Sequence, residues 1–177
     1  MAINKSKFWD EALETAPREV LEANQLKDLQ EIVKFAYDNS PYYKRSFDEA
    51  GVKPSDIKTL KDIEKFPFIN KKTQRDTQGV GSFLGELCAV PEDDVVFIST
   101  SSGSTGVPTI SPFTQKDFDE FQDTEARWFW QVGVRPNDRY VHALNFSLYV
   151  GGPDVIGAQR TGALCIWGGT LPSERLL

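Results

Sequence analysis

Tyr140-Val141-His142-Ala143-Leu144, then Pro153 to Arg160, then Ala163-Leu164-Cys165-Ile166-Trp167: the order of these three stretches decides the fold. The first and third are short apolar runs with aromatic and β-branched side chains, as strands have. The middle stretch reads as a helix, and glycines stand at both joints. Strand, helix, strand in this order is a βαβ crossover, which implies a parallel sheet. Parallel strands are as a rule buried on both faces and between neighbours. After Trp167 only Gly168 to Leu177 remain, which read as a loop, a capping Ser173 and the first turn of a helix. On this reading the chain is expected to be the opening part of a longer domain.

Working back from the crossover, Thr114 can cap a helix through about Val132 that Gly133 terminates. Trp128, Phe129 and Trp130 occupy successive positions on it and cannot share one face, so at least one is expected to be exposed or covered by further chain. Val95-Val96-Phe97-Ile98 reads as a short buried strand, and Thr109-Ile110 as a brief extended segment. Before Val95 the pattern is helical. Leu26, Leu29, Val33 and Ala36 recur at separations of three and four, which predicts one amphipathic helix from Pro17 to about Asn39. Asn39-Ser40-Pro41 ends it, because the residue before proline avoids the helical region. A second helix is expected from Tyr42 to Ala50, stopped by Gly51. Thr59 and Asn70 can cap short turns through Lys65 and Asp76. The fold class is thus α/β: a mainly helical region over residues 1–94, then the beginning of a layered α/β domain with parallel βαβ units over residues 95–177.

Composition narrows the function classes. Twenty Lys and Arg against 26 Asp and Glu leave a net charge of −6, with no block of basic residues. Duplex nucleic acid and anionic membrane surfaces need a concentrated basic footprint, so neither is an expected partner. Cys88 and Cys165 are far apart in sequence and make neither a disulfide framework nor a metal knuckle. No secretory signal opens the chain, and no run of about 18 apolar residues occurs. The sequence is therefore read as soluble and cytoplasmic. His142 is the only histidine, which leaves little for a histidine metal cluster or a hydrolytic triad. On its strand it is read as a packing residue, and no metal-ligating residue is assigned.

The segment with chemistry in it is the loop over residues 99–109. Between Ser99 and Val107 it holds six hydroxyl side chains and two glycines. Glycines let backbone approach a ligand closely, consecutive amides can converge as an anion-binding nest, and hydroxyls add donors for phosphate oxygens. The P-loop pattern, which needs Lys followed by Ser or Thr after its last glycine, does not fit, and neither does a dinucleotide fingerprint.

Thr100 to Thr109, TSSGSTGVPT, resembles the phosphate-binding signature of adenylate-forming enzymes. Ser40-Pro41-Tyr42-Tyr43, Phe47 to Val52, Leu60-Lys61-Asp62-Ile63 and Phe66-Pro67-Phe68 resemble the amino-terminal helical region of the phenylacetate-CoA ligase family within that superfamily. Phe146 to Gly152 and Gly162 to Gly169 are similar to its acid-binding region. The resemblance covers nearly the whole chain. It implies an adenylation domain cut short, with the small carboxy-terminal domain absent. It also implies that Ser101, Ser102, Gly103, Ser104, Thr105 and Gly106 wrap the β- and γ-phosphates of ATP. Phe146 is expected to form an aromatic wall of the acid pocket, with Tyr149, Gly151 and Gly152 nearby. ATP, Mg2+ and CoA are the implied cofactors and co-substrates, and an aryl carboxylic acid the implied substrate.

Val107 departs from the family, most members of which carry Lys or Arg there. The residues for metal, ribose and thioester steps fall on segments that would follow Leu177, so no catalytic residue is assigned and the chain alone is expected to be inactive. Two other readings stay open: a free-standing nucleotide-binding or interaction module, and an acid-activating relative with an acceptor other than CoA. A homodimer is also left open.

Overall fold

A computed structural model of the chain describes residues 6–101, 108–146 and 151–176. Its helices are α1 (Glu11–Glu14), α2 (Arg18–Asn39), α3 (Pro41–Ala50), α4 (Lys71–Thr77), α5 (Gln115–Gln131), α6 (Gly151–Arg160) and α7 (Ser173–Leu176). The strands are β1 (Val95–Thr100), β2 (Ile110–Thr114), β3 (Arg139–His142) and β4 (Leu164–Trp167), with short 3-10 turns at Pro54–Asp56, Leu60–Lys65 and Glu92–Asp94. The chain forms two compact units, one of residues 16–98 and 103–112, the other of residues 1–15, 99–102 and 113–177.

In the first unit the core is Val33, Phe47, Ile57 and Phe66, with Leu26, Leu29, Tyr37 and Tyr43 packed against it. The stripe read from α2 is the face that enters this core. The rings of Phe47 and Phe66 meet edge to face at 5.0 Å, an arrangement favoured by the ring quadrupoles. Ser40 accounts for the sharp joint between α2 and α3. Its hydroxyl accepts from the Tyr43 amide at 3.3 Å and donates to the Glu86 carbonyl at 2.8 Å. The turn after Thr59 is 3-10 rather than α. Asp62 tightens it by accepting from the Lys58 and Thr59 amides at 3.0 and 2.7 Å. Its carboxyl is held well below the usual range by Lys65 and these amides.

The second unit contains the crossover. β3 and β4 pair in parallel, Tyr140 opposite Cys165 and His142 opposite Trp167, with α6 between them in sequence. β1 pairs with β2. The strands are less buried than their composition led us to expect. Val96, Ile98, Leu164, Ile166 and Trp167 are exposed; among the described residues each sheet has two strands, so each strand has a neighbour on one edge only.

α5 begins with a reciprocal cap: Thr114 accepts from the Asp117 amide at 3.2 Å, and Asp117 accepts from the Thr114 amide at 3.0 Å. Phe129 and Trp130 enter the core while Trp128 stays 54% exposed. Trp130 is also where the start of the chain docks. The Trp9 ring lies 5.6 Å from it, and the Trp9 indole N–H donates to Asp123 at 3.0 Å.

α5 and α6 pack closely at one point. A Cβ on Gly157 would lie 2.2 Å from the Glu125 Cβ, so only glycine fits. Asp154, one turn before Gly157, hydrogen-bonds Glu125. Burial, followed by the hydrogen bond to Asp154 and its charge, pushes the Glu125 carboxyl from its ordinary 4.5 up to about 7.

Two outcomes follow from this seam. Gly157→Ala forces the helices apart and is expected to lower unfolding free energy by about 1–3 kcal/mol, the usual cost of overpacking, read as a lower urea midpoint. An unchanged midpoint would contradict the close approach. The folded chain keeps a proton on Glu125 that the unfolded chain releases, so the stabilisation from this group is complete below pH 4.5 and is lost as pH rises through about 7. In melting curves, the difference between the native chain and Glu125→Gln should change sign-consistently over that window, with the native chain losing more on going from pH 4.5 to above 7.

Candidate functional site

The loop singled out by its hydroxyls and glycines connects the paired strands β1 and β2. Ser101 is described; Ser102, Gly103, Ser104, Thr105, Gly106 and Val107 lie outside the described residues. On the entry side Ser99 is buried, its hydroxyl without a hydrogen-bond partner among the described residues. On the exit side Thr109 is buried and is followed by β2.

The exit is held by two glutamines that the sequence reading did not mark. Gln78 donates from its side-chain amide to the Pro108 carbonyl at 3.1 Å and accepts from the Ile110 amide at 2.9 Å. Gln74 donates to the Ile110 carbonyl at 3.0 Å. Gln74 lies on α4 and Gln78 is the extended residue that follows its last turn. Nothing in the sequence says which backbone a pair of glutamines will grip.

The residues expected around the acid converge in part. Phe146 is 39% exposed, with the His142 ring 5.2 Å and the Trp167 ring 5.7 Å from it. Gly169, with φ of +57°, passes so close that a Cβ there would come within 3.1 Å of the Phe146 ring. A Cβ on Gly152 would lie 3.4 Å from the Phe146 carbonyl oxygen. Gly151 opens α6 beside it, and Tyr149 lies outside the described residues. An aromatic face bordered by glycines is an arrangement that a flat apolar group can approach. Trp167 was read only as a strand residue; its place against Phe146 depends on the parallel register of β3 and β4.

Next to Phe146 stands a buried polar network. His142 is fully buried. The Tyr140 hydroxyl lies 3.1 Å from His142 Nδ1 and 3.2 Å from Asp154 Oδ2, and Nδ1 lies 3.6 Å from that same oxygen. Tyr140 and His142 are two apart on β3 and so share a face. Burial, then the charge of Asp154, raises the Tyr140 phenol well above its ordinary value. His142 Nε2 has no hydrogen-bond partner among the described residues. The His142 carbonyl accepts from the Gly168 and Gly169 amides at 3.0 and 2.9 Å, which ties the end of β3 to the glycines beneath Phe146. No cluster of His, Cys, Asp or Glu able to hold a metal ion occurs among the described residues. No helix among them is long and apolar enough to cross a membrane.

No family model matches the chain. Individual relatives do. The chain is 40% identical over 155 residues to the phenylacetate-coenzyme A ligase of Escherichia coli (strain K12), covering 87% of this chain and 34% of the relative. It is 38% identical over 153 residues to the enzyme of the same name from Thermus thermophilus, covering 86% of this chain and 33% of the relative. Among solved structures, 2-hydroxyisobutyryl-CoA ligase in complex with 2-HIB-AMP and CoA matches with a TM-score of 0.88 and 30% identity, over 98% of this chain and 37% of that one. The same ligase in its postadenylation state with 2-HIB-AMP gives a TM-score of 0.89 at 29% identity. The chain spans about a third of the curated relatives it matches, 34% in the first case. In sequence the chain is similar to phenylacetate-coenzyme A ligases, and in fold to a CoA ligase that binds an acyl-adenylate.

Proposed function

We propose that the chain is the amino-terminal part of an AMP-forming acid-CoA ligase that activates a phenylacetate-like carboxylate. The observation that supports this reading most is the similarity to phenylacetate-CoA ligases over 87% of the chain, a span that takes in both the phosphate-loop motif and the Phe146 segment. In the first half-reaction a carboxylate oxygen attacks the α-phosphorus of ATP. An O–P bond forms, the α–β phosphoanhydride bond breaks and pyrophosphate leaves. In the second, the CoA thiol adds to the acyl carbonyl, loses its proton, and AMP departs with the former carboxylate oxygen.

Within this scheme Ser101, Ser102, Gly103, Ser104, Thr105 and Gly106 hold the β- and γ-phosphates through amides and hydroxyls. Such donors, fixed before the reaction, stabilise charge as it shifts toward the leaving group. The Gln74 and Gln78 grip on the Pro108 and Ile110 backbone supports a loop held at its exit. Phe146 supplies the apolar wall against the acid, with Gly151, Gly152 and Tyr149 bordering it. Mg2+, which the family implies, has no suitable cluster among the described residues, and no step here is derived through it.

ATP–pyrophosphate exchange tests the reading in the protein that carries this chain. Exchange should depend on an aryl acid, and thioester should form only with CoA. Exchange without any thioester would point to a different acceptor, and the absence of acid-dependent exchange would refute the proposal. The 177-residue chain by itself is expected to bind nucleotide without exchange. Val107→Lys, which restores the family's usual cation, should tighten ATP binding by roughly 3- to 10-fold at low salt and less at high salt. Phe146→Ala should raise KM for the acid by roughly 10-fold or more, as loss of a buried aromatic contact does, with little change in KM for ATP.

A further inference from the structure

Several lysines of this chain are neutralised by an acid one helical turn away: Lys34 meets Asp38, Lys44 meets Asp48 and Lys72 meets Asp76. Lys53 and Lys58 also have acids at such spacings, Asp56 and Asp62, yet among the described residues neither ammonium is in an ion pair. Asp56 is turned to the backbone and accepts from the Lys53 amide at 2.8 Å. Asp62 accepts from the Lys58 amide at 3.0 Å and meets Lys65 at 2.7 Å with its other oxygen. Asp48, whose carboxyl also feels the charge of Lys53, is occupied by the Tyr37 hydroxyl at 2.7 Å and by Lys44 at 3.0 Å. The carboxylates that cap the two turns are thereby withheld from both ammoniums.

Lys53 and Lys58 line one groove of about 700 Å3 in the first unit, between α2 and the turn at Pro54–Asp56. Clefts that hold small molecules run to roughly 300–1,000 Å3. α2 contributes Gln30, Lys34, Tyr37 and Asp38, which recur at separations of three and four and so share a face. Gln30 ties the two walls together, its side-chain amide donating to the Ile57 carbonyl at 2.9 Å. Ile57 is buried, Tyr37 and Pro54 are half-buried, and Ser55 adds a hydroxyl to the lining. Lys34 and Asp38 offset each other. Lys53 and Lys58 then leave a surplus of two positive charges, in a chain whose net charge is −6.

Two ammoniums beside apolar surface suit a dianion attached to an organic body. A phosphate monoester carries about −1.5 to −2 at neutral pH and has three acceptor oxygens, and lysine binds phosphate as a point charge. A single carboxylate would leave one ammonium unanswered.

We propose that this groove is a binding site for a small phosphate monoester, whose oxygens accept from Lys53, Lys58 and Ser55 and whose organic part rests on Pro54 and Tyr37. The site is separate from the loop over residues 99–109 and from Phe146, and stands without the ligase reading. Two sources share the chemistry: a free monoester, and the 3′-phosphate of CoA with its flat adenine.

Phenyl phosphate titrated into the chain at low salt, followed by amide NMR, should bind saturably and shift Ser55, Ile57 and Lys58, with affinity falling as salt is added. Joint Lys53→Gln and Lys58→Gln substitution should weaken binding by about 10-fold with an otherwise unchanged spectrum. Lys61→Gln, outside the groove, should leave it unaltered. Methyl phenyl phosphate, a monoanion of similar shape, should bind roughly 3- to 10-fold more weakly; equal affinity would overturn the proposal. So would the absence of saturable binding at millimolar concentrations. Shifts confined to residues 99–109 and indifferent to the double substitution would place the phosphate in the loop, refuting the groove while leaving the ligase reading intact. Binding of hexaglutamate in the groove, with none of phenyl phosphate, would replace the proposal with an acidic protein partner. CoA and dephospho-CoA separate the two sources. Shifts of Ser55 and Lys58 with CoA but not dephospho-CoA identify the 3′-phosphate, and a response to phenyl phosphate but not CoA identifies a free monoester.

Discussion

Where Gly157 meets Glu125, the absence of one side chain determines the chemistry of several others. With the helices this close, Asp154, one turn away on the same face of α6, is brought against Glu125. Burial, with the hydrogen bond and charge of Asp154, raises the Glu125 carboxyl. Asp154 also accepts from the Tyr140 hydroxyl at 3.2 Å. Tyr140 in turn meets Nδ1 of His142, two residues along the same strand, and the His142 ring abuts Phe146. A packing constraint between two helices is thereby passed, through protonation and hydrogen bonding, to the aromatic surface on which the proposed acid pocket depends.

The local parts of this architecture were legible in the sequence because their causes are local. Ser40-Pro41, Gly51, Thr114 and Gly133 punctuate helices through caps and backbone preferences that act within a few residues, and the helices start and stop where those signals stand. The βαβ order was legible for the same reason: period, length and glycine joints are visible in a window of about 30 residues, the size of such a unit. What was not legible depends on contacts between distant residues. Trp9 and Asp123 are joined by a hydrogen bond across 114 positions. Of the three consecutive aromatics on α5, sequence could say that they diverge but not which would be left outside. The pairing of β1 with β2, and the exposure of Val96 and Ile98, follow from which strands find neighbours, and residue type carries no record of that.

His142 shows how a reading by residue type can be right and still incomplete. It is a packing residue, fully buried on its strand. The same burial gives its nitrogens consequence, since a buried imidazole must account for both of them and only one is engaged by Tyr140 and Asp154. Asp154 and Glu125 attracted no notice as isolated acids in helices. Their significance lies in being together, which only the α5–α6 contact produces.

The proposed phosphate loop poses a different physical problem. A run of serine, threonine and glycine has much conformational freedom to lose on ordering, and glycine loses most of all. Holding its exit lowers that cost in advance. Gln78 engages the backbone on both sides of Thr109, a carbonyl at Pro108 and an amide at Ile110. With Val107 in place of the usual cation, and a chain whose net charge is −6, a bound triphosphate would draw little from long-range attraction. It would depend instead on short, directional hydrogen bonds from amides and hydroxyls, whose value rests on their being held in place. Fixing the loop exit therefore matters more here than in a relative with a lysine, where a flexible point charge tolerates a looser frame.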